Sequence, residues 1–429
     1  MCDTLSRMEL SQKTAGVATN TGNRWLLLGL LVVSVCINYV DRGNLSVAAR
    51  EIGQELGLTM SNKGLLFSAF FWSYALCLPF SGWLIDRFRV THIYTCGYFI
   101  WSLATTLTGA VTGMPMLFFL RLVLGAGESV AYPAYSKIIS ARFREEERGR
   151  ANAWIDAGSK MGPALGVLAG GLMLESMGWR GMFFCIGLAS MVWLLPWHFT
   201  TRHLAAPASE TAAKSSGEIL PSFRRILGLR SAWGTLIGLF CANYAWYFLL
   251  TWLPPYLVTV RHYTPRMLAF YGSLPFWGVA FASLTGGWLS DRWIRRGANP
   301  SFVRKAFVSS GLLLCTLLLP AFIIRNNNWS LVFTLAACLS FGLFSSNVWA
   351  ITQTLAGERC SGKWTGIQNA FGNLAGIAAP WATGLIVDRT GSFFFAFVAV
   401  AVVAATGAMA YLFLLGPIKE VNWNAPDLL

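Results

Sequence analysis

The sequence predicts an all-α membrane protein whose twelve transmembrane helices form two pseudo-symmetric six-helix bundles. Three observations carry that expectation. The 429-residue chain is 55% hydrophobic and only 12% charged, with a mean hydropathy of +0.53; a soluble domain carries about 25% charged residues. Apolar stretches near the roughly 20 residues that cross a bilayer recur along the chain. A short polar string also closes one of these stretches in each half.

Residues 1–23 are polar, include Arg7 and Lys13, and lack the short apolar core of a signal peptide, so they read as a cytoplasmic tail. Stretches at 24–47, 62–85, 91–110, 114–138, 150–174 and 180–199 make a first bundle spanning 24–199. Residues 200–230, rich in Ser, Ala, Lys and Arg, read as a cytoplasmic linker. Stretches at 231–257, 266–290, 303–324, 329–355, 364–386 and 392–415 make a second bundle over 231–416, followed by a cytoplasmic tail at 417–429.

The halves share a repeat. Gly82-Trp83-Leu84-Ile85-Asp86-Arg87 ends the second stretch and Gly287-Trp288-Leu289-Ser290-Asp291-Arg292 ends the eighth; only Ile85 and Ser290 differ. Gly82, Asp86, Arg87, Gly287, Asp291 and Arg292 fall at a membrane surface and read as conformational latches. Glycines recur every fourth residue at Gly158, Gly162, Gly166 and Gly170, and again at Gly372 and Gly376. Such faces let helices approach closely, either for packing alone or for rocking of one bundle against the other.

A net charge of +14 would suggest nucleic acid in a soluble protein. Here the basic residues concentrate in alternate loops, among them Arg142, Arg144, Arg148, Arg150, Arg224, Arg225, Arg295, Arg296, Arg304 and Lys305. The positive-inside rule then puts both termini in the cytoplasm and removes the nucleic-acid reading. The nine cysteines are scattered without a CxxC pair and read as small buried apolar residues. His92, His198, His203 and His262 fall at helix ends, which offers no metal cluster.

Charges at bilayer depth are costly, and those that persist usually face a cavity and work there. The first stretch carries Asp41 and Arg42, the fourth Arg121 and Glu128 with Tyr132, and the fifth Asp156 and Lys160. Their formal charges cancel. The second half offers uncharged groups instead, among them Asn243, Tyr244, Tyr247, Ser346, Asn347, Trp349, Gln353, Gln368, Asn369 and Asn373. The division assigns charge and protons to the first half and a hydrogen-bonding wall to the second. Each charged pair also has a purely structural reading: Asp41 with Arg42, Arg121 with Glu128, and Asp156 with Lys160, which at i and i+4 satisfy one another. Enzymatic readings fail on context. Gly127-Glu128-Ser129-Val130-Ala131 imitates a nucleophile elbow inside an apolar helix, and no Walker lysine is present to use ATP.

Asn38-Tyr39-Val40-Asp41-Arg42-Gly43-Asn44-Leu45, Gly64-Leu65-Leu66-Phe67-Ser68-Ala69-Phe70-Phe71-Trp72-Ser73-Tyr74 and Arg121-Leu122-Val123-Leu124-Gly125-Ala126-Gly127-Glu128 resemble the anion:cation symporter branch of the major facilitator superfamily. The resemblance covers essentially the whole chain and implies two six-helix bundles related by an axis along the membrane normal. It implies proton symport of a small organic anion such as an aldonate, aldarate or hexuronate, with no cofactor beyond the proton. Asp41 and Glu128 match its protonatable carboxylates, Arg42 and Arg121 its anion-recognising arginines, and Tyr39, Tyr74, Trp349 and Asn369 its cavity lining. Where such symporters can place a glutamine in the fifth helix, this chain has Ser159 followed by Lys160, an extra cation that favours a more highly charged anion. The short connection after the first helix, unlike the long one of animal members, points to a bacterial inner membrane, and a monomer is expected. The alternatives are a proton-independent exchanger or exporter of organic anions, then a drug or cation antiporter, and last a membrane sensor.

Overall fold

The computed structural model describes residues 21–143, 145–202 and 222–423, all of them helix, turn or connection. The N-terminal tail, most of the linker, Arg144, His203 and the last six residues lie outside the described residues. The rods are α1 (Thr21–Val47), α2 (Met60–Arg87), α3 (Val90–Thr108), α4 (Met114–Arg142), α5 and α6 (145–177 and 179–201), α7 (Arg230–Thr259), α8 (Pro265–Arg295), α9 (Pro300–Ile323), α10 (Asn327–Gly357), α11 (Lys363–Thr390) and α12 (Phe394–Leu414). Ten helices are long and apolar enough to cross a membrane. The difference from the expected twelve has two causes. Residues 150–201 run as one helix broken only at Gly178, whose φ of 67° and ψ of 176° separate α5 from α6. α3 is not among the ten, because Thr, Ser and Tyr side chains dilute its hydropathy.

Local chemistry sets the rod ends. Thr59, Thr264, Asn299 and Asn326 each accept a hydrogen bond from a first-turn N–H, the usual work of an N-cap. Pro115, Pro265 and Pro300 occupy first-turn positions where no donor is missed. Large apolar side chains such as Leu76, Phe119, Phe281 and Phe413 stay exposed on the outer surface, as a lipid-facing belt requires.

The glycine repeat of α5 lies against α1, within its own bundle. A β-carbon on Gly158 would sit 2.5 Å from Val35 Cγ1, and one on Gly162 2.5 Å from Tyr39 Cβ. Packing therefore accounts for that stripe. Close approach between bundles occurs elsewhere. Gly171 of α5 meets Ala269 of α8, Gly376 of α11 meets Phe71 of α2, and a β-carbon on Gly64 of α2 would lie 2.6 Å from Pro380 O of α11.

Arg24 of α1 pairs with Glu147 at the start of α5, and Arg230 of α7 bonds Phe413 O at the end of α12, so the chain ends share a face. The hydrogen bonds joining the bundles among the described residues lie toward the opposite face. Asp388 of α11 accepts from Met60 N at 2.9 Å and Ser61 N at 2.7 Å, and Ser46 of α1 donates to Leu250 O of α7 at 2.9 Å. Trp252 of α7 donates to Pro380 O and meets Phe67 of α2 edge-on at 5.3 Å. One level deeper, Phe71 meets Tyr247 at 4.4 Å. The bundles are stitched together along the edge opposite the termini.

Candidate substrate and proton site

α1 turns Asp41 and Arg42 in different directions, as successive helical residues must. Arg42 leans toward α4 and donates from Nε to Glu128 Oε2 at 2.8 Å; the arginine is 5% exposed and the glutamate 0%. Its guanidinium lies 4.7 Å from the Tyr39 ring, 4.9 Å from Phe70 and 4.9 Å from Tyr74. Arg121 also faces Phe70, at 5.4 Å. Cation–π contacts strengthen when water is excluded, so the aromatic cage holds the arginine beside the seam to the second bundle. The Tyr39 hydroxyl lies 3.3 Å from that of Tyr132.

The ion pair that forms is Arg42 with Glu128; among the described residues no Asp41–Arg42, Arg121–Glu128 or Asp156–Lys160 salt bridge occurs. Asp41 is 1% exposed and approaches α3 and α4, where Thr105 and Arg121 stand near it. Breaking a buried pair by removing one partner costs about 3–5 kcal/mol, because a lone charge stays behind. The Arg42–Glu128 contact is therefore either kept or exchanged for another anion.

On the fifth rod, Ser159 is buried and gives its hydroxyl to Asp156 O at 2.7 Å. Lys160 is half-buried, with its ammonium 5.2 Å from the Trp246 ring of α7 in the opposite bundle. That contact, and not Asp156, is its neighbour.

The second bundle supplies a chain of neutral donors and acceptors. Tyr247 donates to Asn373 Oδ1 at 2.8 Å, and Asn373 Nδ2 donates to Asn369 Oδ1 at 3.2 Å. Asn369 is exposed, and Trp349 is half-buried. Ser346 turns to its own surroundings: it donates to Leu343 O, accepts from Asn347, and packs beside Gly286 and Gly287 of α8. Gln368 is likewise occupied, accepting from Thr352 at 2.6 Å.

The repeated strings keep a common local geometry. Arg87 lies 5.7 Å over Trp83 and Arg292 5.1 Å over Trp288, each four residues back on its own helix. Gly82 has open space beside it, while Gly287 lies near Ser346 Cβ. Asp291 shows no side-chain bond across the bundles among the described residues, and the Asp86 side chain lies outside them. Among the described residues, Arg87 and Arg292 keep to their own helices in this conformation.

Sequence reasoning missed two features. Asp388, which the sequence did not single out, seals the seam. Tyr98, Trp101, Ser102 and Thr105 of α3, spaced on one helical face, are all buried, and Tyr98 and Thr105 neighbour Asp41. Their spacing was the available signal, though hydroxyls in an apolar helix usually bond their own backbone.

The sequence and the fold have relatives among known proteins. A probable galactarate/D-glucarate transporter of Bacillus subtilis (strain 168) is 30% identical over 94% of each chain. A D-galactonate transporter of Escherichia coli O6:H1 is 30% identical over 93% of this chain and 97% of its own. The crystal structure of a bacterial homolog to the human lysosomal transporter Spinster, in an inward-facing and occupied conformation, superposes with a TM-score of 0.76 at 18% identity, covering 91% of this chain and 96% of that one. The family model of the Major Facilitator Superfamily matches residues 31–380 and 273–427. The chain belongs to the major facilitator superfamily and is a multi-pass membrane transporter, not an enzyme.

Proposed function

We propose that this transporter imports a sugar acid together with protons by alternating access, across a bacterial inner membrane and with both termini in the cytoplasm. The observation that carries the reading is the buried Arg42–Glu128 pair inside its aromatic cage. The substrates for which its relatives are named, galactarate, D-glucarate and D-galactonate, supply the substrate class. With the termini cytoplasmic, the seam at Asp388, Pro380 and Trp252 closes the outer side, and the cavity opens inward.

A proton on Glu128 removes its hold on Arg42. The carboxylate of a sugar acid then takes that guanidinium, so no lone buried charge is left at either step. Loading is thereby tied to protonation. Arg121 adds to the positive field. Tyr39, Tyr74 and the Tyr247–Asn373–Asn369 chain hydrogen-bond the sugar hydroxyls, and Trp349 and Lys160 extend the wall. Ser159 and Ser346 act from behind, through the backbone bonds that hold their helices. Gly82, Asp86 and Arg87, with Gly287, Asp291 and Arg292, form the gate on the cytoplasmic side when the cavity faces out. Asp41 serves as a second proton acceptor.

The test is uptake of D-galactarate and D-galactonate into proteoliposomes under an imposed proton gradient. Glu128→Gln should lose uphill accumulation and keep counterflow exchange. Intact uphill uptake in that variant would sink the proposal. Failure of either acid to stabilise the wild-type protein thermally would remove the sugar-acid assignment; a ligand at 100 times its Kd adds about 2.7 kcal/mol.

A further inference from the structure

α3 is the polar rod, and two sets of its polar side chains behave differently. Thr95, Thr106 and Thr108 donate to backbone carbonyls of their own helix at 2.7–2.9 Å, which satisfies them locally. Tyr98, Trp101, Ser102 and Thr105 do not. They fall at i, i+3, i+4 and i+7, one face of the helix, and each is at most 3% exposed. The Tyr98 hydroxyl, the Trp101 indole N–H and the Ser102 and Thr105 hydroxyls find no hydrogen-bond partner in the protein.

That face meets Asp41. The Thr105 hydroxyl stands beside its carboxyl without closing a bond, and Tyr98 is an electrostatic neighbour. α1 turns in Asp41 Oδ2, Asn44 Oδ1 and both amide atoms of Asn38, and α4 turns in Arg121 Nε and Glu128 Oε1; all are equally unpartnered. Asn38 lies next to Glu128, so the set runs from one carboxyl to the other. Arg42 stands apart, turned to its cage. The charged and titratable groups facing Asp41 are Arg121 and Glu128 from α4 and Tyr98 from α3.

Leaving one buried polar group unpaired costs about 1–3 kcal/mol. So many from three helices, converging on one place, describe a site and not isolated defects. Polar internal spaces hold water that makes two to four hydrogen bonds. A divalent metal would want oxygen ligands throughout, whereas here indole, amide and guanidinium N–H groups face in among the oxygens. Water accepts from the first and donates to the second.

We propose that the space between α1, α3 and α4 holds ordered water that carries the coupling proton between Glu128 and Asp41, with Tyr98, Ser102 and Thr105 as its positioning residues. As Arg42 returns to Glu128, an O–H bond breaks at that carboxyl and one forms at Asp41 Oδ2, each water passing on one proton as it receives another. No other group changes charge. The substrate's path on the far side of Arg42 is not used. This inference rests on the proton-symport reading above.

The test uses the full-length protein in proteoliposomes with D-galactarate as probe. Ser102→Ala/Thr105→Val should cut proton-driven accumulation at least tenfold, while counterflow at equal pH stays within twofold and thermal stabilisation by galactarate persists. Thr105→Ser, which keeps a hydroxyl, should retain accumulation. Should the double variant not fold, Ser102→Ala and Thr105→Val singly should each lose accumulation selectively. Unchanged accumulation would overturn the inference, as would equal loss of accumulation and counterflow, which would make these residues part of the substrate path. Accumulation by the wild type under a sodium gradient at constant pH would put a cation in the site instead and overturn it too. If the wild type shows no proton-driven accumulation at all, the symport reading itself has failed, an outcome separable from the others.

Discussion

Asp388 gives the clearest handle on conformation. Its two carboxylate oxygens accept from Met60 N at 2.9 Å and Ser61 N at 2.7 Å, so a residue of α11 caps the first turn of α2 across the bundles. Asp388→Ala deletes both bonds but leaves Thr59, the local cap that accepts from Asn62 N, in place. The loss therefore falls on the seam and spares the helix. A capping carboxylate contributes about 1 kcal/mol, and this one is exposed to solvent. One kcal/mol is roughly a fivefold change in an equilibrium constant, here in favour of the conformer open opposite the termini. Spin labels at Gln54 and Asn328, both exposed on that side of their respective bundles, would report it in a cysteine-free background by pulsed electron paramagnetic resonance. The ratio of long to short distances should rise about fivefold. An unchanged distribution, or a move to shorter distances, refutes the assignment of Asp388 as a seal.

Lys160→Met removes a cation that forms no salt bridge among the described residues and lies 5.2 Å from the Trp246 ring. A charge-assisted hydrogen bond contributes about 1.5–3 kcal/mol, so KM for the dianion galactarate should rise about tenfold and that for galactonate far less; equal rises would place Lys160 off the substrate. Gly162→Ala puts a β-carbon 2.5 Å from Tyr39 Cβ and 2.7 Å from Cys36 O, and overpacking of this kind costs about 1–3 kcal/mol. Gly29→Ala, with nothing within 4 Å, should leave the thermal midpoint unchanged or raise it. Glu55 accepts from Arg180 Nη2 and Trp179 Nε1 at 2.7 Å each, and these bonds hold its carboxyl below the ordinary glutamate range. A depressed pKa contributes stability above the unfolded value of about 4.3 that is lost as pH falls through the folded one. Melting curves of Glu55→Gln should thus lose less between pH 5 and the acid limit than those of the wild type, within the roughly two units below pH 5 where carboxylates titrate.

The fold was legible because bilayer physics writes length and hydropathy into every spanning stretch, and because Gly82–Arg87 recurs as Gly287–Arg292. The intramembrane charges were equally visible, since each stands out against an apolar run. Their partners were not. Asp156 and Lys160 have the spacing of a self-satisfied pair, yet Lys160 reaches Trp246 in the other bundle, and only the tertiary fold brings that ring within reach. Glu128 faces Arg42 and not its own helix-mate Arg121, because α1 and α4 cross at that depth. The glycines of α5 announced a close contact without saying with which helix. Ser102 and Thr105 gave only their spacing as a warning, since a hydroxyl in a membrane helix is ordinarily spent on its own backbone.

The mutual cancellation of the four buried charges Asp41, Arg42, Arg121 and Glu128 has an electrical consequence. Moving one elementary charge across 100 mV is worth about 2.3 kcal/mol. An empty carrier whose buried charges sum to zero reorients without sensing that field, so its return step is indifferent to membrane voltage. The loaded carrier feels only what its cargo adds. A dianion travelling with two protons moves no net charge, and with three it carries one positive charge inward. Under the proposed symport, the current recorded per substrate molecule therefore counts the protons.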